Sequence, residues 1–177
     1  MRQHLEEALN LIGIFATLIS AVTGTSDAKI TDLGDGYWRV ETKSYSVEVP
    51  RGWKVSEETP WGQRKVKPEA GNGALGVMTA PPSRQTWDDL YRTSLYFILR
   101  EKGGKATPYK LTKTTSGLEA ASFEVLDSKG FADRRFVLLK HKEKGLLAIS
   151  VDIPSKERDT EWKVHFERMV RSAKFTG

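Results

Sequence analysis

The chain contains no cysteine. That absence excludes disulfide scaffolds, thiolate zinc sites, iron–sulfur clusters, a cysteine nucleophile and a lipidated N-terminal cysteine. Histidine is scarce too, limited to His4, His141 and His165, which leaves little material for imidazole metal sites that need several convergent ligands. Long apolar runs are also missing, apart from residues 11–24 (LIGIFATLISAVTG), fourteen residues without a charge. A membrane-spanning helix needs roughly 20 apolar residues, whereas the apolar part of a signal peptide takes about 7–15.

Small residues at Ala21, Thr23 and Gly24, or at Ser26 and Ala28, suit a signal peptidase, while Glu6 and Glu7 stand where a signal peptide prefers positive charge. Residues 1–28 therefore read as a signal peptide or an N-terminal membrane anchor over residues 5–24, with a helix of a cytosolic protein as the third reading. The expected location is exported, periplasmic or extracellular. Residues 29–177 form one domain, a size that supports a substantial core. Removing residues 1–28 takes away one base and three acids, so the formal net charge rises from +5 to +7.

What is present is period-two alternation. Residues 37–42 and 45–49 read as strands, with Tyr45, Val47 and Val49 on one face and Ser44, Ser46 and Glu48 on the other. A turn at Pro50-Arg51-Gly52 leads to short strands at residues 53–56 and 63–67, and a second turn at residues 70–73 to another at 75–79. Thr86 followed by Asp89 has capping-box spacing, and Trp87, Leu90, Tyr91, Ser94, Leu95 and Ile98 recur at helical intervals. Strands follow at residues 110–114, 118–126, 131–140 and 146–153, and then a closing helix with Trp162, Phe166, Met169, Val170 and Ala173 along one face. In residues 136–139 and 146–153 both alternating sets are apolar, which predicts central strands covered on both faces. The fold class expected is α+β, a central, mainly antiparallel sheet of about six or seven strands covered by helices on both faces.

The segment YSVEVPRGWKV (residues 45–55), the meander, the single helix, the longer antiparallel strands and a closing helix ending in SAKF (residues 172–175) together resemble the PsbP-like fold family. The resemblance runs over nearly the whole chain after residue 29 and implies an α/β/α sandwich. Family members include the PsbP subunit of photosystem II and small exported bacterial proteins, mostly binding or assembly proteins. The resemblance carries no catalytic residue. Tyr45, Val47, Val49, Pro50, Gly52 and Trp53 match its short motif, in which Pro and Gly reverse the chain and Trp53 closes one end of the core.

No catalytic motif is found: there is no G-x-S-x-G, no serine with a histidine partner in view, and Gly71-Asn72-Gly73 lacks the spacing of a phosphate loop. His141 sits in a charged hairpin tip (KHKEK) and His165 beside the apolar face of the closing helix. No catalytic residue, metal or cofactor is assigned. The partner clue is positive charge: Trp61, Arg64, Lys65 and Lys67 place an aromatic beside three cations, a pattern suited to an acidic ligand surface. Solvated strand edges carry lysine in the same way. The expectation is a non-enzymatic monomer acting through surface loops on a protein or acidic envelope component, without nucleic acid, and touching membrane only through an uncleaved N-terminal segment. Two alternatives stand beside it: an enzyme whose site assembles in space around Glu119, Glu124, Asp152 or His165, and a membrane-tethered assembly factor.

Overall fold

The computed structural model describes residues 28–60, 62–102, 104–114 and 117–177. The apolar stretch 11–24 and Trp61 lie outside the described residues. The chain opens with the meander β1 (Lys29–Asp32), β2 (Tyr37–Glu41) and β3 (Tyr45–Pro50), then β4 (Lys54–Val55), β5 (Gln63–Lys67) and β6 (Ala74–Ala80). Helix α1 (Trp87–Lys102) precedes β7 (Lys105–Ala106), β8 (Lys110–Lys113), β9 (Glu119–Leu126), β10 (Ala132–His141) and β11 (Gly145–Asp152). A 3-10 turn (Lys156–Arg158), α2 (Asp159–Ser172) and β12 (Lys174–Phe175) end the chain.

Two sheets form, not one. The small sheet runs β1-β2-β3-β12 and the large one β4-β5-β6-β11-β10-β9-β7, with β8 also on β9. Every pairing is antiparallel. The expected single sheet covered by helices on both faces, the α/β/α sandwich, is thereby corrected: the domain is mostly β, with two α-helices among the described residues. The reason lies at Gly52, whose φ of 82° lets the chain leave β3 and join the second sheet instead of extending the first.

Val40, Tyr45, Val47 and Val49 of the small sheet then face Val66, Leu75, Leu139, Leu147, Ile149 and Val151 of the large one. Helix α2 completes this core with Trp162, Phe166 and Met169. Helix α1 covers the opposite face of the large sheet, where Leu90 and its neighbours pack on Phe123, Val125 and Leu138. The apolar strands β10 and β11 are indeed covered on both faces, but one cover is largely another sheet.

Local signals hold where they were strongest. The Thr86 hydroxyl accepts the Asp89 N–H at 3.2 Å and the Asp89 carboxylate accepts the Thr86 N–H at 3.0 Å, the reciprocal cap predicted from their spacing. Trp53 lies 4.9 Å from Trp162, ring to ring, closing one end of the core. Among the described residues no helix is long and apolar enough to cross a membrane.

Candidate functional site

Strand register decides where the basic residues point. Lys54 and Lys67 are direct partners across β4 and β5, so they share a face, and Lys65 joins them two residues away. All three are exposed. This is the α1 side of the large sheet, but α1 covers the sheet farther along, over β9 to β11, and leaves the β4–β5 edge open. Like charges placed opposite one another are destabilising in a sheet. An uncovered face that gathers three lysines therefore costs stability rather than adding it.

Lys65 and Lys67 form one wall of a cleft of about 340 Å³, with Asn72 and Gly73 on the adjoining loop and Asp152 and Arg134 on β11 and β10. Arg134 and Asp152 are register partners. A second cleft of about 620 Å³ lies beyond Arg134, lined by Lys105, Leu126, Asp127 and Ser128. Asp133 and Arg134 line both.

Arg64, grouped with these lysines in the sequence, is turned the other way. It is 3% exposed, and its Nε donates to the Tyr45 hydroxyl at 3.2 Å, while its terminal nitrogens reach the Ser56 carbonyl and, at 3.4 Å, the Glu58 carboxylate. Burial pushes the Tyr45 phenol above its ordinary pKa, and the neighbouring Arg64 charge partly offsets that rise. Arg64 thus joins the two sheets and holds β5 from behind.

The residues of the enzymatic alternative are not gathered. Glu119 is exposed at the start of β9, Glu124 accepts from Arg135 at 2.7 Å, Asp152 lines the first cleft, and His165 lies on α2. Arg135 also holds Asp159 at 2.6 Å, tying β9 and β10 to α2. No cluster of three or more potential metal ligands occurs among the described residues. His141 serves its hairpin, its Nδ1 accepting the N–H groups of Glu143 and Lys144, each at 3.2 Å.

His165 has a different environment. Its Nδ1 is 2.9 Å from the Tyr37 hydroxyl, and the ring meets Trp53 edge-on at 5.2 Å. Burial lowers its pKa below the ordinary histidine value, with Glu161 opposing and Arg158 reinforcing the shift. The unfolded chain therefore takes up a proton that the folded chain resists. Stability is expected to decline as pH falls below about 6.5, and the loss is complete once pH passes below the folded-state pKa. Urea unfolding at a series of pH values checks this: His165→Gln should flatten that part of the profile, and an identical slope in the variant would remove His165 as its source.

Sequence reasoning missed Arg134, although a signal was there. Arg134 belongs to the alternating set of Phe136 and Leu138, and an arginine on an apolar row of a central strand is either buried with partners or at a site. Applied to β5, the same alternation puts Arg64 on the row of Val66, facing the core.

The geometry defines a two-sheet antiparallel domain with a cleft, lined by Lys65, Lys67 and Arg134, where β5, β6, β10 and β11 begin or end. Among solved structures, it is similar to the solution structure of cyanobacterial PsbP (CyanoP) from Synechocystis sp. PCC 6803, with a TM-score of 0.54 and 17% identity, covering 89% of this chain and 98% of that one. The likeness is one of fold: the chain has the PsbP-like fold. No protein-family model matches it, and neither does any curated protein.

Proposed function

We propose that this domain is a non-enzymatic binding or assembly module that receives an acidic group of a protein or envelope component on its lysine face. Lys65 and Lys67 make the contact, Arg64 holds their strand from the core side, and Trp61, just before β5, adds an aromatic contact. The observation that carries the reading is the gathering of Lys54, Lys65 and Lys67 on one exposed face beside a cleft, uncovered by α1. The domain acts as an exported monomer in the periplasmic or extracellular space, directed there by residues 1–28, or tethered by them as an assembly factor. The uncharged stretch 11–24 supports that location.

Poly-glutamate serves as an acidic probe, titrated by calorimetry at low and physiological salt. Lys65→Ala combined with Lys67→Ala is expected to weaken binding about fivefold at low salt and to flatten its salt dependence, because exposed charges contribute modestly and are screened. The melting temperature should stay within about 1 °C of wild type, as for exposed substitutions in general. Equal affinity in wild type and double variant would discard the lysine face.

A further inference from the structure

We infer that Asn72 is a site of spontaneous deamidation, and that the carboxylate it leaves cancels the excess positive charge of the cleft beside the lysine face. The chemistry is written in the step from Asn72 to Gly73. A backbone nitrogen can attack the side chain of the residue before it, and glycine hinders that attack least because it carries no Cβ and is conformationally permissive.

The loop leaves both reacting groups available. Asn72 is exposed between β5 and β6. Among the described residues neither its carboxamide nor the Gly73 N–H takes part in a hydrogen bond, so none has to break before the nitrogen turns on the side chain. Lys65 and Lys67 line the same cleft as Asn72 and Gly73, and their charge favours the anionic nitrogen and the oxyanion formed on the way. Asp35-Gly36 supplies the contrast: it is exposed too, but Arg168 holds the Asp35 carboxylate at 2.6 Å, and that bond lowers its pKa and keeps it ionised. An ionised carboxylate has no good leaving group, so Asp35 persists where Asn72 converts.

The Gly73 nitrogen gives its proton to solvent base and bonds to the Asn72 side-chain carbonyl carbon; the bond from that carbon to the carboxamide nitrogen breaks, and ammonia leaves. Water then opens the succinimide ring. Addition at the side-chain carbonyl gives aspartate, and addition at the main-chain carbonyl gives isoaspartate. No oxidant or reductant is needed, and either product carries one new carboxylate.

The consequence is electrostatic. Lys65, Lys67 and Arg134 line the cleft with Asp133 and Asp152, three cations against two anions. One more carboxylate brings the signs level on the wall beside Lys65 and Lys67. The effect on binding rests on the lysine-face reading proposed above; the deamidation does not.

The test incubates the full-length protein in mildly alkaline buffer at physiological temperature, beside a synthetic peptide of residues 68–75, and follows both by peptide mass mapping. Conversion of Asn72 in the folded protein to aspartate and isoaspartate is the expected result, with none over the same period in Asn72→Gln, whose longer side chain closes a less favourable ring. A folded protein whose Asn72 stays intact after the peptide has converted would overturn the site. Converted protein, and Asn72→Asp made directly, should bind poly-glutamate about two- to threefold more weakly than fresh wild type at low salt, the difference vanishing at high salt, as for one exposed charge. Conversion with unchanged affinity would overturn the cancellation. Should fresh wild type itself not bind poly-glutamate, the lysine-face reading fails on its own. The mass map still decides the deamidation, and elution from a cation-exchange column, earlier if the charge is lost and unchanged if not, decides the rest.

Discussion

Arg64→Ala is expected to destabilise the domain by about 3 kcal/mol, the cost of breaking a buried, hydrogen-bonded charge cluster from one side. The side chain ties β5 to two other segments: Tyr45 in β3, and Ser56 and Glu58 in the loop before β5. Tyr45 is fully buried, so its hydroxyl loses the Arg64 donor where no water replaces it. In a chain of this size about 3 kcal/mol corresponds to a drop of about 9 °C in melting temperature. Arg64→Lys should fall between, because it restores the charge but not the fork. A thermal melt of each variant beside Lys65→Ala separates the two neighbours: the lysine should leave the curve in place. An Arg64→Ala melt superimposed on wild type would remove the arginine from the joint between the sheets.

The second large effect is expected at Trp162. It is completely buried, packs on Trp53, and is the bulkiest fully buried side chain between the sheets. The loop before β6 is built around it: Gly73, at φ of 108°, lies so close that a Cβ would stand 2.7 Å from the indole. Trp162→Ala should therefore cost about 4 kcal/mol through lost burial and the cavity left behind. The indole Nε1 has no hydrogen-bond partner among the described residues. Phenylalanine would thus forfeit volume but no bond, and Trp162→Phe should cost about 1–2 kcal/mol. Urea midpoints for the two variants check the order. Equal losses would mean that the indole does something other than fill space.

These two residues also measure what could be read before the structure. Trp162 stood on the apolar stripe of the closing helix, and helical spacing alone placed it inside. Most strands of the large sheet and the cap at Thr86 were legible for the same reason, since each is written within a few consecutive residues, whereas the two-residue strand β7 carries no such pattern. The partition into two sheets was not legible. Alternation at Tyr45, Val47 and Val49 says that a face is buried, but is silent about whether a helix or another sheet buries it. The expected helical cover on both faces fails at that step.

Arg64 was misjudged because composition was weighed ahead of periodicity: three cations within four residues look like one patch, yet the pleat sends Arg64 inward and Lys65 and Lys67 outward. The two clefts beside Arg134 needed tertiary knowledge of another kind. Their walls come from β5, β7, β10, β11 and the loop at Asn72, segments that no spacing rule connects.

The small sheet joins residues 45–46 to residues 174–175, the two ends of the folded domain. By contrast, β9, β10 and β11 are successive hairpins that close over short loops. Local hairpins form quickly, whereas pairing across most of the chain waits on loop closure and slows folding. The inner face of Val40, Val47 and Val49 is therefore synthesised first, and its cover, begun by the large sheet, is completed last, once α2 has arrived. While the chain is being synthesised, that apolar face stays open to other chains, so the step that most needs protection from aggregation is the last to complete.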